Sequence, residues 1–140
     1  MIGAGVEWTE ACERCGAAMR CEGGQALVRD RLEWGIEYRC ACGAATMVCG
    51  DGFGEEPPGL RARLLAEGGR GRLLLAGGSR VAALAEVRTL FGLGLGAAGA
   101  ALTALVAGTY GATVPEVALL ARRLRGRGVE AEVEAVDGAG

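Results

Sequence analysis

Six cysteines and the absence of histidine constrain this chain more than any other feature. All six lie between Cys12 and Cys49 of a 140-residue sequence that contains no histidine. Any metal site must therefore use cysteine, aspartate or glutamate ligands, and the commonest general base is missing. The first ten residues lack the pattern of a secretory signal peptide. We therefore expect a reducing, cytoplasmic setting, where clustered cysteines indicate a metal or redox site.

Two short cysteine pairs have the spacing of metal-binding knuckles. Cys12 and Cys15 are separated by two residues, and Cys40 and Cys42 are separated by one. The residues between the pairs include a segment at 32–39 that is typical of a strand and delivers the second pair. This order resembles a zinc ribbon, in which four thiolates surround one tetrahedral Zn²⁺. Such a site has no open coordination position, so it is structural and contributes directly to folding.

The short spacing of the second knuckle leaves the identity of the fourth metal ligand undecided. Ribbons usually place two or more residues between the two cysteines, so Cys21 or Cys49 is an alternative to Cys42. Other interpretations are a cysteine-rich loop without metal and a redox pair, although a redox C-x-x-C motif precedes a helix near a βαβ pattern and Cys12 does not. We expect one structural Zn²⁺ with the ligands Cys12, Cys15, Cys40 and Cys42.

A run rich in glycine, proline and acidic residues divides the chain by composition. It begins at Gly50 and ends at Gly59. From it we predict a zinc-ribbon-like domain over residues 1–52, a linker over 53–70 and a second domain over 71–137. A short helix is compatible with residues 60–66 inside the linker.

The second domain has the pattern β-α-α-α-β. The predicted elements are a strand at 72–76, helices at 79–91, at 96–107 and after Thr113, and a strand at 129–135. Thr113 and Glu116 have the spacing of a capping box, and the helix that follows has one apolar face. The last strand alternates apolar residues with glutamates. We therefore predict an α+β fold, with a small β-rich ribbon followed by a compact β-α-α-α-β domain.

The stretch from Thr89 to Pro115 carries no charge and is rich in glycine and alanine. It is long enough to span a membrane, but few of its residues favour insertion strongly, so we do not expect a membrane protein. Residues 94–99 match the pattern G-x-G-x-x-G. That pattern indicates a dinucleotide site only directly after a strand, and here a helix is predicted before it.

Three motifs of the second half occur in a characteristic order. A helical segment at 79–88 ends in Val-Arg, Gly-Leu-Gly-Leu follows at 92–95, and Arg-Gly-Arg-Gly-Val-Glu-Ala-Glu-Val lies at 125–133. In this order, from about residue 72 to 136, the chain resembles the C-terminal domain of the bacterial ribosomal stalk protein. The resemblance covers about half of the chain.

The resemblance implies a non-catalytic adaptor that docks on a protein partner, which for the stalk family is a translational GTPase on the ribosome. The docking face carried over by position comprises Arg80, Val81, Leu84 and Arg88. Ala85, Gly96 and Gly99 stand where the family has basic residues, which weakens electrostatic steering. A zinc ribbon also replaces the family's N-terminal dimerisation region. The alternative for Arg80 and Arg88 is an ordinary solvated helix face.

Two other functions are weighed against this one. The same small fold resembles the adaptor of the Clp protease, with the loop at 108–110 as the feature that keeps this alternative open. A ribbon can also bind nucleic acid, but residues 1–59 contain ten acidic and five basic residues, a net charge of −5. Acidic surfaces are poor partners for phosphates, so nucleic acid is disfavoured. We expect no enzyme, because no nucleophile–base pair is evident.

Overall fold

The computed structural model describes residues 2–77 and 80–136, which contain two sheets and four helices. The first sheet consists of β1 (Ile2–Ala11), β2 (Ala18–Val28), β3 (Arg31–Arg39) and β4 (Ala45–Asp51). The other elements are α1 (Pro58–Gly68), β5 (Arg70–Leu75), α2 (Arg80–Phe91), α3 (Leu95–Ala107), α4 (Val114–Gly126) and β6 (Ala131–Val136). The predicted α+β class and the β-α-α-α-β order are confirmed.

The first sheet is an antiparallel meander in the order β1-β2-β3-β4. Along β2 and β3, side chains alternate between a buried and an outer face, as strand geometry requires. The buried face contributes Val6 and Ile36 to an apolar cluster that α1 completes with Leu60 and Leu64. Burying a leucine side chain contributes about 1.5–3 kcal/mol, so α1 belongs to the core although it lies within the predicted linker. The division into two domains stays a prediction.

The second sheet pairs β5 and β6 antiparallel, with Leu73 opposite Val133. Helix α4 packs against both sheets, and residues 115–121 are all buried. The predicted apolar face of α4 is therefore only part of its buried surface. Leu27 and Leu32 of the first sheet belong to the same apolar cluster as α2, α3 and α4.

The capping box at the start of α4 is confirmed. The Thr113 hydroxyl accepts a hydrogen bond from the Glu116 amide at 3.2 Å, and the Glu116 carboxylate accepts one from the Thr113 amide at 3.0 Å. Gly92 follows α2 with φ of 65°, a left-handed conformation that glycine adopts without strain. The predicted N-cap of α2, Ser79, lies outside the described residues.

Glu116 is also the centre of a buried polar network. Its side chain has no exposed surface and accepts two hydrogen bonds from Arg61 of α1, each at 2.9 Å. Gln25 of β2 donates a third at 3.3 Å and accepts one from the Thr113 hydroxyl at 2.5 Å. These bonds satisfy a charge that burial alone makes costly. The network joins the first sheet, α1 and α4.

The uncharged stretch from Thr89 to Pro115 contains the end of α2, the whole of α3 and the start of α4. Within residues 2–77 and 80–136, no single helix is long and apolar enough to cross a membrane; α2 and α3 meet the length and composition requirement only together, and they bend by 103° at their junction. The G-x-G-x-x-G match at 94–99 follows α2 and runs into α3. It therefore lacks the preceding strand that a dinucleotide site requires.

Candidate metal centre

The two cysteine knuckles are the β1–β2 and β3–β4 turns, and the meander brings both to the same end of the sheet. In the first turn, the Cys12 amide bonds to the Ala17 carbonyl at 2.7 Å. In the second, the Cys40 amide bonds to the Ala44 carbonyl at 2.9 Å. Gly16 and Gly43 follow the second cysteine of each turn with φ of 77° and 95°. The glycines allow both turns to curl back toward a common centre.

The four knuckle thiols lie close enough to bind one metal ion. The Sγ atoms of Cys12, Cys15, Cys40 and Cys42 are all within 4.8 Å of one another. The Cys12 and Cys42 sulfurs are 3.8 Å apart, and those of Cys15 and Cys40 are 3.5 Å apart. A tetrahedral ion with metal–sulfur bonds of about 2.3 Å places its ligands about 3.8 Å apart. The shortened second knuckle therefore delivers Cys42 to the cluster.

The thiols of this cluster differ in acidity. Amide groups of Cys15 and Arg14 donate hydrogen bonds to the Cys12 sulfur and lower its pKa to about 7. The Ala17 amide lowers the pKa of Cys15, but a hydrogen bond to Cys40 and burial oppose it and bring that pKa to about 11. A thiol must lose its proton to bind a metal. Metal binding at this cluster would therefore release protons and weaken as the pH falls.

The two remaining cysteines lie away from the cluster. Cys21 is fully buried on β2 and its thiol lies 3.7 Å from a Glu10 carboxylate oxygen, while burial raises its pKa. Cys49 is exposed on β4, opposite Gly35. Neither thiol belongs to the group of four, so the alternatives to Cys42 that the sequence left open are placed elsewhere. All six cysteines are free thiols.

The second set of predicted site residues lies on α2, in a different part of the fold. Arg80, Val81 and Arg88 are exposed, and 83% of the Val81 surface is accessible. Leu84 is half-buried and packs against the apolar cluster that α2, α3 and α4 share with Leu27 and Leu32. A guanidinium nitrogen of Arg80 lies 3.8 Å from the position that a Cβ atom at Gly99 would occupy. The α2 face therefore continues onto α3.

Comparison with known proteins adds nothing to this geometry: no family model, no curated protein and no solved structure matches the chain.

Gly43 repeats after Cys42 the position of Gly16 after Cys15, and the sequence motif of the second knuckle includes it. Arg61 is a structurally important residue that sequence reasoning missed. No local signal identifies it, because its partner Glu116 lies 55 residues further along the chain. The loop residue Tyr110 packs edge-to-face on Phe91, with ring centroids 5.3 Å apart.

Proposed function

We propose that this chain is a non-catalytic adaptor in which one structural Zn²⁺ holds the first sheet and helix α2 docks on an acidic surface of a protein partner. The observation that carries the docking proposal is the contrast between the arginines of α2 and those of α4. The proposal of a structural Zn²⁺ depends on the four clustered thiols.

Zinc fits the donor set best. Four thiolates in a tetrahedral arrangement favour Zn²⁺ or iron–sulfur chemistry, and the compact cluster has room for a single ion. Because the chain supplies four ligands, a bound Zn²⁺ has no open position for a substrate or an activated water. The role that this arrangement supports is structural.

Zinc-loaded protein should therefore contain one zinc per chain. Elemental analysis of the purified protein measures this ratio directly. Cys42→Ser should abolish stoichiometric zinc, because three thiolates leave the ion incompletely held. The matched variants Cys21→Ser and Cys49→Ser should each retain one zinc per chain. Two zinc ions per chain, or zinc lost from either matched variant, would contradict the four-ligand site.

The arginines of α2 have no carboxylate partner within the described residues. By contrast, Arg122 and Arg123 of α4 pair with Asp30 and Glu86, and Arg125 lies 3.7 Å from Glu132. The charges of α4 are thus largely balanced within the chain. Those of Arg80 and Arg88 remain available to an external anion.

An exposed apolar side chain, Val81, lies on the same helix as these two cations. Val81 is one helical turn from Ala85 and two from Arg88, so the three share one face of α2. Exposed apolar residues within a charged rim are typical of protein interaction sites. The resemblance to the ribosomal stalk domain also indicates α2 as the docking helix, and it suggests a translational GTPase or the ribosome as the partner. The net charge of −5 on residues 1–59 favours a protein over a nucleic acid.

A pull-down from native lysate at low salt tests the docking face. We expect wild-type protein to enrich ribosomes or translational GTPases, identified by mass spectrometry, and Arg80→Glu/Arg88→Glu to reduce that enrichment at least tenfold. Arg122→Glu/Arg125→Glu is the matched control, because it makes the same change in charge on α4 and should leave binding largely intact.

The other outcomes separate the alternatives. Equal loss in both variants indicates general electrostatic attraction and contradicts a specific docking face. Recovery of nucleic acid alone, with a steep dependence on salt, supports the ribbon as a nucleic-acid module. Enrichment of an AAA+ unfoldase supports the Clp-adaptor alternative.

A further inference from the structure

The outer edge of β4 is open. This strand pairs with β3 on one side, and in the part of the chain that the structure describes no strand pairs with its other side. Six of its seven residues are exposed, including Met47 and Val48. It contains one charged residue, Asp51, and no lysine or proline. Soluble proteins usually protect such edges with charges, prolines or bulges, so this edge has the features of a pairing surface.

The hydrogen bonds to β3 fix which groups point outward. The Gly52 amide donates to the Leu32 carbonyl at 2.9 Å, and the register pairs Glu33 with Asp51. Even-numbered residues of β4 therefore bond to β3, because bonded pairs alternate along an antiparallel ladder. The amides and carbonyls directed away from the sheet belong to Ala45, Met47, Cys49 and Asp51.

We infer that β4 pairs antiparallel with β4 of a second copy of this chain, about a two-fold axis at Val48. Because Val48 is the middle residue of the strand, this register pairs all seven residues. Met47 then lies opposite Cys49 of the second copy, and Ala45 opposite its Asp51. These odd-numbered residues are the ones whose backbone groups point outward. The result is a continuous eight-stranded sheet.

Charge complementarity favours this register. On the outer face, Arg20, Arg39 and Ala45 form one row across the strands, and Asp51 and Glu33 form another. The two-fold axis joins the basic row of one copy to the acidic row of the other. Arg39 and Asp51 of the second copy are then two strands apart, about 10 Å. Within one copy Arg39 pairs with Glu37 and Asp51 pairs with Arg31, so the contact across the axis adds to these pairs.

The acidic side chains nearest the axis also avoid one another. Another row on the outer face, between the basic and acidic rows, ends at Met47 and contains three glutamates: Glu7, Glu22 and Glu37. The row that ends at Cys49 contains three glycines: Gly5, Gly24 and Gly35. In the register centred on Val48, each glutamate row continues into the glycine row of the other copy. A register centred on Met47 would instead bring the two glutamate rows together.

The buried face is complementary as well. Val48 lies beside Ile36, which belongs to the core under α1, yet 38% of the Val48 surface is exposed. Helices α1 and α4 lie over β1, β2 and β3. A second copy places Val48 against its counterpart, so the two apolar clusters become continuous. This interface goes beyond the proposed function and uses none of the α2 residues.

Mass and cross-linking test the inference. Zinc-loaded protein should have twice the 14.2 kDa chain mass by light scattering. In a Cys49→Ser background, Val48→Cys should form a disulfide-linked dimer under mild oxidation in most chains. Facing residues of a non-bonded pair have Cα atoms about 4.5 Å apart, within the range of a disulfide. Thr46→Cys is the matched control on the same face, because its counterparts are about 14 Å apart.

Val48→Lys provides the reverse test. It places two ammonium groups opposite each other at the axis, so the variant should be monomeric while it keeps one zinc per chain, which shows that it is folded. A monomeric wild-type protein across micromolar concentrations overturns the inference. Equal cross-linking of the Val48→Cys and Thr46→Cys variants also overturns it, since random collision then explains both.

Discussion

Arg61→Ala is expected to lower the free energy of unfolding by about 2–4 kcal/mol. The variant leaves the carboxylate of Glu116 buried without its cation, and breaking a buried pair costs about 3–5 kcal/mol. The expected loss is smaller than this general range because the Arg61 side chain is 32% exposed, and solvent screens partly exposed pairs. Urea denaturation followed by circular dichroism measures the change.

Arg122→Ala is the matched control for this prediction. It also removes an arginine from a carboxylate, at 2.7 Å from Asp30, but this carboxylate is 83% exposed, whereas that of Glu116 has no exposed surface. Exposed pairs contribute about 0–1 kcal/mol. If the two variants lose equal stability, the Glu116 network is not a major source of stability. Adding Glu116→Gln to Arg61→Ala should recover part of the loss, because the unpaired charge is then removed.

Metal removal is expected to have the largest effect on the molecule. Structural zinc sites of this kind contribute about 10–16 kcal/mol of apparent binding free energy at neutral pH, whereas whole domains are stable by about 5–15 kcal/mol. Chelation, or Cys12→Ser, should therefore unfold the knuckle end of the first sheet and much of its strand structure. Circular dichroism and amide hydrogen exchange, with Cys49→Ser as the zinc-retaining control, follow this loss.

The helices provide the informative part of that experiment. If the two predicted domains can fold separately, the helical signal survives chelation, with a lower Tm because Leu27, Leu32 and Gln25 no longer support α4. A single transition that removes sheet and helices together would contradict the two-domain division. Retention of the full sheet without metal would contradict a structural role for the ion.

Local patterns predicted the elements whose causes are local. The spacing of Thr113 and Glu116 predicts their capping box because both partners lie within one helical turn. The cysteine spacing predicts the cluster of four thiols because each pair lies in a single turn. The alternation at 32–39 predicts β3 for the same reason, since neighbouring side chains face opposite sides of the sheet.

Contacts between distant residues could not be predicted in this way. Nothing near Arg61 indicates that it binds Glu116, and Gln25 has no local feature that distinguishes it from a solvated polar residue. The burial of α1 also has a non-local cause. Leu60 and Leu64 are buried by contact with Val6 and Ile36, which lie more than 20 residues away in the sequence, so nothing in the linker segment itself predicts their burial. The fourth thiol of the cluster could be predicted only in part. The spacing left Cys42, Cys21 and Cys49 as alternatives, and the geometry of the sheet brings Cys42 to the cluster and places the other two elsewhere.

The hydrogen bond between Gln25 and Glu116 joins residues 91 positions apart, which matters while the chain is being synthesised. The cysteines and all four strands of the first sheet are made before α4. At about 5–20 residues per second, the ribosome needs on the order of 5–18 s to add these 91 residues. During that time the apolar face around Leu27 and Leu32 has no helix α4 to cover it. Early metal capture would hold the nascent sheet in register through this exposed stage.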